Sequence, residues 1–261
     1  MPDRYLRAAV TSIQEAAGGA KCIDLIGHSQ GGFLVRAYTQ LYSWKDDCPR
    51  VRRLYSLAGV QAGYYCYESC GSIKKGSPLM PIAHMLTQPT VVYSNFAKLT
   101  VVPSTEWKDP MAMDHYSKSD ILIAQINGEA ISSPNVTENN RTRTIAVGRE
   151  QIVQLDRFYT FYSPADQIIS PPEAEKFDFY KNGSRTEIEP FEQSVLYSED
   201  RIGLRELKNL GRWVTFQVDG YLHRDFVDER ATEFYQNCLR PLLLRLPGDE
   251  DYAPNCGKKL N

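Results

Sequence analysis

Long hydrophobic runs are missing from these 261 residues. No apolar stretch approaches the roughly 18 to 20 residues a helix needs to cross a bilayer, so no membrane span is expected. An excess of positive charge is missing too. Thirty basic residues against 32 acidic ones leave a formal charge of −2, whereas a phosphate backbone is bound by clustered Lys and Arg; nucleic acid is not an expected partner. The six cysteines, at 22, 48, 66, 70, 238 and 256, form no C-x-x-C and no Cys/His cluster at zinc spacing. No metal and no other cofactor is therefore expected. The opening Met1-Pro2-Asp3-Arg4 has no apolar core behind a basic segment, so no secretory signal is visible.

Hydrophobic residues at 42% and charged residues at 24% match ordinary globular proteins and exclude a disordered or fibrous chain. The length allows one large domain with a sizeable core. Aromatic residues are plentiful: 16 Tyr, 10 Phe and 3 Trp, enough to fill a core and line an apolar groove. Asn-x-Ser/Thr sequons stand at Asn135, Asn140 and Asn182. Together with an even cysteine count they favour an oxidising, secretory route. The even count allows three disulfides without requiring them. Cys66 and Cys70 flank a short loop, and Cys238 and Cys256 are placed to tie the C-terminal tail to the last helix. The sequons and the missing signal are reconciled if the N-terminus of a longer chain is absent.

Residues 6–17 carry apolar positions at helical spacing, and Gly18-Gly19 ends that helix. Residues 22–26 read as a short buried strand, 33–42 as a helix, 53–57 as a strand and 151–161 as a strand. A helix is expected over 171–180, a strand over 214–218 and a final amphipathic helix over 228–244. Strands alternating with helices predict an α/β fold, a mostly parallel sheet flanked by helices. Residues from 60 to about 150 are too long for a plain loop and read as a helical insertion over the sheet, within one domain spanning 1–261.

The strongest chemical signal is Gly27-His28-Ser29-Gln30-Gly31 between a strand and a helix. This is the G-x-S-x-G elbow in its required context. A sharp strand-to-helix turn holds the serine in a strained conformation, with glycine at both flanks to avoid Cβ collisions. The Gln30 N–H then faces a developing oxyanion. A serine needs a base, and only four histidines exist: 28, 84, 115 and 223. His28 lies inside the elbow and by strand geometry points elsewhere. His84 and His115 lie in the insertion. His223 follows the strand 214–218, the place of the general base in an α/β-hydrolase. The acid partner lies after the strand 151–161, and Asp166 is the best placed. Asp156 and Asp178 sit inside expected regular elements, and Asp219 and Asp225 lie too close to His223 in sequence. The order Ser29, Asp166, His223 is that of α/β-hydrolases.

The elbow, with Gln after the serine, resembles that of the palmitoyl-protein thioesterases. Further segments are similar to blocks of that family: Ser56-Leu57-Ala58-Gly59-Val60-Gln61-Ala62-Gly63, Trp107-Lys108-Asp109-Pro110, Ile121-Leu122-Ile123-Ala124-Gln125-Ile126-Asn127-Gly128-Glu129, Phe177-Asp178-Phe179-Tyr180, and Leu196-Tyr197-Ser198-Glu199-Asp200-Arg201-Ile202-Gly203-Leu204. The resemblance runs from about Ile23 to Leu244. It implies an α/β-hydrolase, a lysosomal or secreted glycoprotein, that cleaves long fatty acyl thioesters. Its substrates would be fatty-acylated proteins or peptides, or acyl-CoA. It also implies Ser29 as nucleophile, His223 as base, Asp166 as acid partner and Gln30 as oxyanion donor. The family's first strands, with a His-Gly loop giving a second oxyanion N–H, are expected to be absent here. The surroundings of His223 differ from the family's commoner Gly-Asp-His-Leu, and Cys238 resembles a second branch that prefers shorter or less bulky acyl thioesters. Residues such as Ile82, Met85, Leu86, Val91, Val92, Phe96 and Leu99 are either lining for an acyl groove or plain core. Two rivals stand beside the thioesterase reading: an esterase or lipase acting on oxygen esters, and a catalytically impaired truncated homologue.

Overall fold

The computed structural model describes residues 4–67, 73, 75–94, 97, 102–131, 137–228, 230–245 and 256–261. Helix α1, Arg4–Ala17, leads into strand β1, Cys22–His28, and helix α2, Gln30–Leu41, starts directly after Ser29. Strand β2 is Arg50–Leu57, and β3 is Arg157–Tyr162. A short antiparallel pair, β4 Phe179–Tyr180 and β5 Ile188–Glu189, precedes β6, Trp213–Gln217. A last strand, β7, Lys258–Lys259, ends the series. The main sheet has the order β1-β2-β3-β6-β7, parallel except for β7.

Both faces of this sheet are covered, as parallel sheets require. Side-chain alternation divides it cleanly. Leu54, Phe158 and Trp213 belong to a core with Phe33 and Ala37 of α2 and Leu6 and Val10 of α1. Tyr55, Leu57, Tyr159, Phe161, Val214 and Phe216 point the other way, onto Phe234, Cys238, Leu239 and Leu242 of the C-terminal helical run. Arg53 shares that second face. Its guanidinium pairs with Asp24 and donates to the carbonyls of Leu242 and Leu243, pinning the run to β1 and β2.

Several element boundaries differ from the sequence expectation. Residues 151–153 close the helix α3, Glu138–Val153, instead of opening a strand. Ile152 is fully buried there, and an apolar residue serves a helix face as well as a strand. The α3 helix packs on α2, which makes it the crossover between β2 and β3. The expected helix over 171–180 is only a 3-10 turn, Pro172–Lys176, stopped by Phe177 at φ 77° and followed by β4. The final helix begins at Ala231, continues through a π-helical segment, Tyr235–Leu239, and ends at Leu244. Between β2 and α3 lie short helices, among them Met80–Leu86, Pro89–Val92, Met113–Lys118 and Leu122–Ile126. Cys238 and Cys256 form a disulfide, as their positions led one to expect. Cys70, Asn135, Phe96 and Leu99 lie outside the described residues.

Candidate active site

Parallel strands end together, so whatever follows them gathers at one edge. Here the ends are in register: His28 faces Leu57, Leu57 faces Phe161, and Tyr162 faces Gln217. The ladder continues one step into the loops. Ser29 N–H donates to Leu57 O, Ala58 N–H to Phe161 O, and Val218 N–H to Tyr162 O. Ser29, Asp166 and His223 each follow one of these strand ends.

Ser29 sits at φ 55°, ψ −128°, a region that costs a non-glycine residue on the order of 1–3 kcal/mol and persists only where the surroundings impose it. Its hydroxyl does not cap the helix it precedes. The steric case for glycine holds at Gly27, where a Cβ would stand 2.3 Å from the Gly31 carbonyl. It does not hold at Gly31, which has open space around its Cβ position. The crowded partner is Gly32, where a Cβ would meet Ser56 Oγ at 2.6 Å and Gly59 Cα at 3.0 Å. Close approach of α2 to β2 is the reason. Gln30 opens α2, so its N–H is among the first-turn donors that a helix leaves without an internal partner. Its side-chain Nε2 is buried without a hydrogen-bond partner.

His223 opens a 3-10 turn, His223–Phe226, beyond β6. Its Nδ1–H donates to Asp166 Oδ2 at 2.5 Å, with both side chains buried. Asp166 Oδ1 accepts the N–H groups of Ile168 and Ile169 at 2.7 and 3.0 Å. Burial by itself would raise the Asp166 pKa. Hydrogen bonds from His223 and Glu175 and the His223 charge outweigh burial and hold it below the ordinary carboxylate range. The other acidic residues near in sequence are engaged elsewhere. Asp219 accepts from Gln217, Asp225 from the Leu222 N–H, and Asp178 pairs with Lys176.

His28 does not point away from the site, contrary to the strand-geometry expectation. Its ring lies against that of His223, centroids 4.7 Å apart, and its Nε2–H donates to the His223 carbonyl at 2.7 Å. That contact joins the residue before Ser29 to the residue proposed as base. His84 is bound to Tyr67 O, and His115 lies in the helix Met113–Lys118.

Glu175 is the residue that sequence reasoning missed. It is fully buried in the 3-10 turn, accepts the Ser163 N–H at 2.9 Å, and lies beside Asp166. The sequence reads as a helix over 171–180, and nothing local says which acidic residue of 172–176 turns inward. Donor atoms of Asp166, Glu175 and His223 lie within 4.8 Å of one another, the one such group of potential metal ligands found among the described residues. One contact within it, Nδ1 to Oδ2, is already a hydrogen bond.

Of the residues proposed as groove lining, Val92 is buried, whereas Ile82, Met85 and Leu86 are exposed, as are Leu79 and Met111. Asn140 and Asn182 are exposed, one in the first turn of α3 and the other in a turn between β4 and β5. Among the described residues no helix is long and apolar enough to cross a membrane.

The family model described as palmitoyl protein thioesterase matches residues 3–223. Palmitoyl-protein thioesterase 3 of Dictyostelium discoideum is 30% identical over 86% of this chain and 69% of its own length. Palmitoyl-protein thioesterase 1 of Caenorhabditis elegans is 29% identical over 76% of this chain, and the lysosomal thioesterase PPT2 homolog of Drosophila melanogaster 26% identical over 74%. The chain covers 59% of the length of each of these two relatives. The sheet order, the elbow and a family match that extends from the first helix to His223 together show that this chain belongs to the palmitoyl protein thioesterase family, a family of hydrolases.

Proposed function

We propose that this chain cleaves long-chain fatty acyl thioesters by an acyl-enzyme mechanism in which Ser29 is the nucleophile, His223 the general base and Asp166 its acid partner. The observation that carries the reading is the buried Asp166–His223 hydrogen bond of 2.5 Å, together with a strained serine that also follows a strand end at the carboxyl edge of the sheet. With Nδ1–H committed to Asp166, the imidazole keeps Nε2 as its basic nitrogen. Nε2 takes the Ser29 proton as Oγ attacks the thioester carbonyl. The tetrahedral oxyanion forms toward the Gln30 N–H, at the positive end of α2. Collapse expels the thiol, which receives the proton from His223. Water, deprotonated by the same Nε2, then attacks the acyl-serine and frees the fatty acid.

The relatives' names support S-acylated proteins or peptides as substrates, with acyl-CoA as a chemically equivalent one. Each methylene removed from water contributes about 0.8 kcal/mol, so a long chain needs an extended apolar surface. Exposed Leu79, Ile82 and Met85, in the expected insertion of about 60–150, are the candidate lining. A lysosomal or secreted setting is supported by the disulfide, by exposed Asn140 and Asn182 as glycan acceptors, and by one relative's name.

The test is hydrolysis of a palmitoyl-thioester reporter by the purified chain and by Ser29→Ala, with a fluorophosphonate probe to label the nucleophile. Turnover and labelling that vanish in Ser29→Ala support the proposal; undiminished turnover in the variant overturns it. A matched palmitoyl oxygen ester separates thioesterase from esterase, because faster cleavage of the oxygen ester would move the assignment.

A further inference from the structure

Glu175 has no part in the steps above, yet it is fully buried against the residue that orients the base. Its position is well determined. The carbonyl of neighbouring Ala174 accepts both the Gln61 and the Ala62 N–H, and Phe177, just beyond, packs edge-on against Phe158 and Trp213. Glu175 Oε2 accepts the Ser163 N–H. Ser163 Oγ in turn donates to the carbonyl of Tyr221, on the loop that carries His223. The loops after β3 and β6 are therefore stitched together through Ser163 and Glu175.

The hydrogen-bond inventory of the two carboxyl groups is unequal. Asp166 has three N–H donors, from His223, Ile168 and Ile169. Glu175 has one, and its Oε1 is buried with no donor aimed at it. The two buried carboxyl groups bring oxygens within 4.8 Å of each other; two carboxylates this close disfavour joint ionisation in a water-excluded site, and a proton on the poorly solvated one turns repulsion into attraction. We infer that Glu175 is a positioning residue, held as a neutral carboxylic acid whose Oε1–H donates to the Asp166 carboxylate and fixes it against His223 Nδ1. Burial, followed by the Asp166 charge, pushes the Glu175 pKa well up and agrees with this assignment. The other ionisable groups around it are Glu173 on its own turn, Tyr162 at the end of β3 and His223. None of them is a fixed cation that would hold Glu175 ionised, and the ammonium of adjacent Lys176 is turned to Asp178.

This inference rests on the triad reading, but part of its test does not. Glu175→Gln keeps an N–H donor for Asp166 and an acceptor for Ser163, whereas Glu175→Leu keeps the volume and loses both. In the unliganded full chain, the downfield Nδ1–H proton resonance of His223, assigned by its loss in His223→Gln, is expected to persist in Glu175→Gln and to shift upfield or broaden away in Glu175→Leu. With the palmitoyl-thioester reporter, Glu175→Gln should retain kcat within about 3-fold, and Glu175→Leu should lose roughly 10- to 100-fold in kcat with little change in KM, the scale of a misplaced catalytic group. The acid limb of kcat/KM should coincide in wild type and Glu175→Gln, because both are neutral at this position. Equal behaviour of the two variants would overturn the inference, as would an acid limb displaced by about one unit in Glu175→Gln, which would mean a charged Glu175. If Glu175→Leu fails to fold, the resonance and the acid limb of Glu175→Gln still decide. A wild-type chain without turnover, or an active Ser29→Ala, would defeat the triad reading and leave the resonance comparison to judge Glu175.

Discussion

The His28 ring packs against the His223 ring at 4.7 Å and donates from Nε2 to the His223 carbonyl. This bond requires a neutral or cationic His28, and the environment selects the neutral form. Burial lowers its pKa from the ordinary 6.5, and the bond to the His223 carbonyl offsets that only in part. The unfolded chain therefore takes up a proton near that ordinary value while the folded chain does not. Stability from this residue is present above about pH 6.5 and falls as pH drops toward the lower native value. In His28→Gln this fall should be missing. Thermal unfolding of both proteins across the interval from about pH 7.5 to pH 5 checks it, and the wild-type advantage should shrink in acid.

Asp166→Asn should lower kcat by about 10³- to 10⁴-fold with only a small change in KM, because the amide no longer fixes the productive imidazole tautomer. Steady-state kinetics on the palmitoyl-thioester reporter measure this. An unchanged melting temperature in the variant would place the loss in chemistry and not in folding.

Gly31 and Gly32 should respond differently to alanine. The Cβ position of Gly31 is open, so Gly31→Ala should change stability by less than about 0.5 kcal/mol. Gly32→Ala drives a methyl into Ser56 Oγ and Gly59 Cα and should cost about 1–3 kcal/mol. Urea unfolding of the two variants gives the comparison.

The Cys238–Cys256 disulfide joins the C-terminal helical run to the segment that leads into β7, with a sequence separation of 18. A loop of that size is worth roughly 3 kcal/mol of stability. Cys238→Ala/Cys256→Ala should unfold at correspondingly lower denaturant, and wild type should match it after reduction.

The local features were legible because they are set over a few residues. The elbow at Ser29 follows from glycine content and the strand-to-helix change, and the chain order of Ser29, Asp166 and His223 followed from locating strand ends. Boundaries were less legible where one residue type serves two structures. Ile152 is apolar enough for a strand, yet it closes α3 because α2 offers a face for it to bury. Residues 171–180 look helical in sequence, yet they form a 3-10 turn, Pro172–Lys176, and then β4, with Ala174 held by Gln61 and Ala62 and Glu175 bonded to Ser163.

By itself, then, the sequence determined a parallel α/β sheet, the strand-to-helix elbow at Ser29 and a short set of candidate site residues, since backbone sterics and hydrophobic period act locally. Only the tertiary structure decided that His28 turns toward His223, that Gly32 and not Gly31 is the crowded glycine, and that Glu175 shares a buried pocket with Asp166. Those relationships depend on how loops from different strand ends meet. Charge, burial and hydrogen bonding take their values there from neighbours far away in the chain.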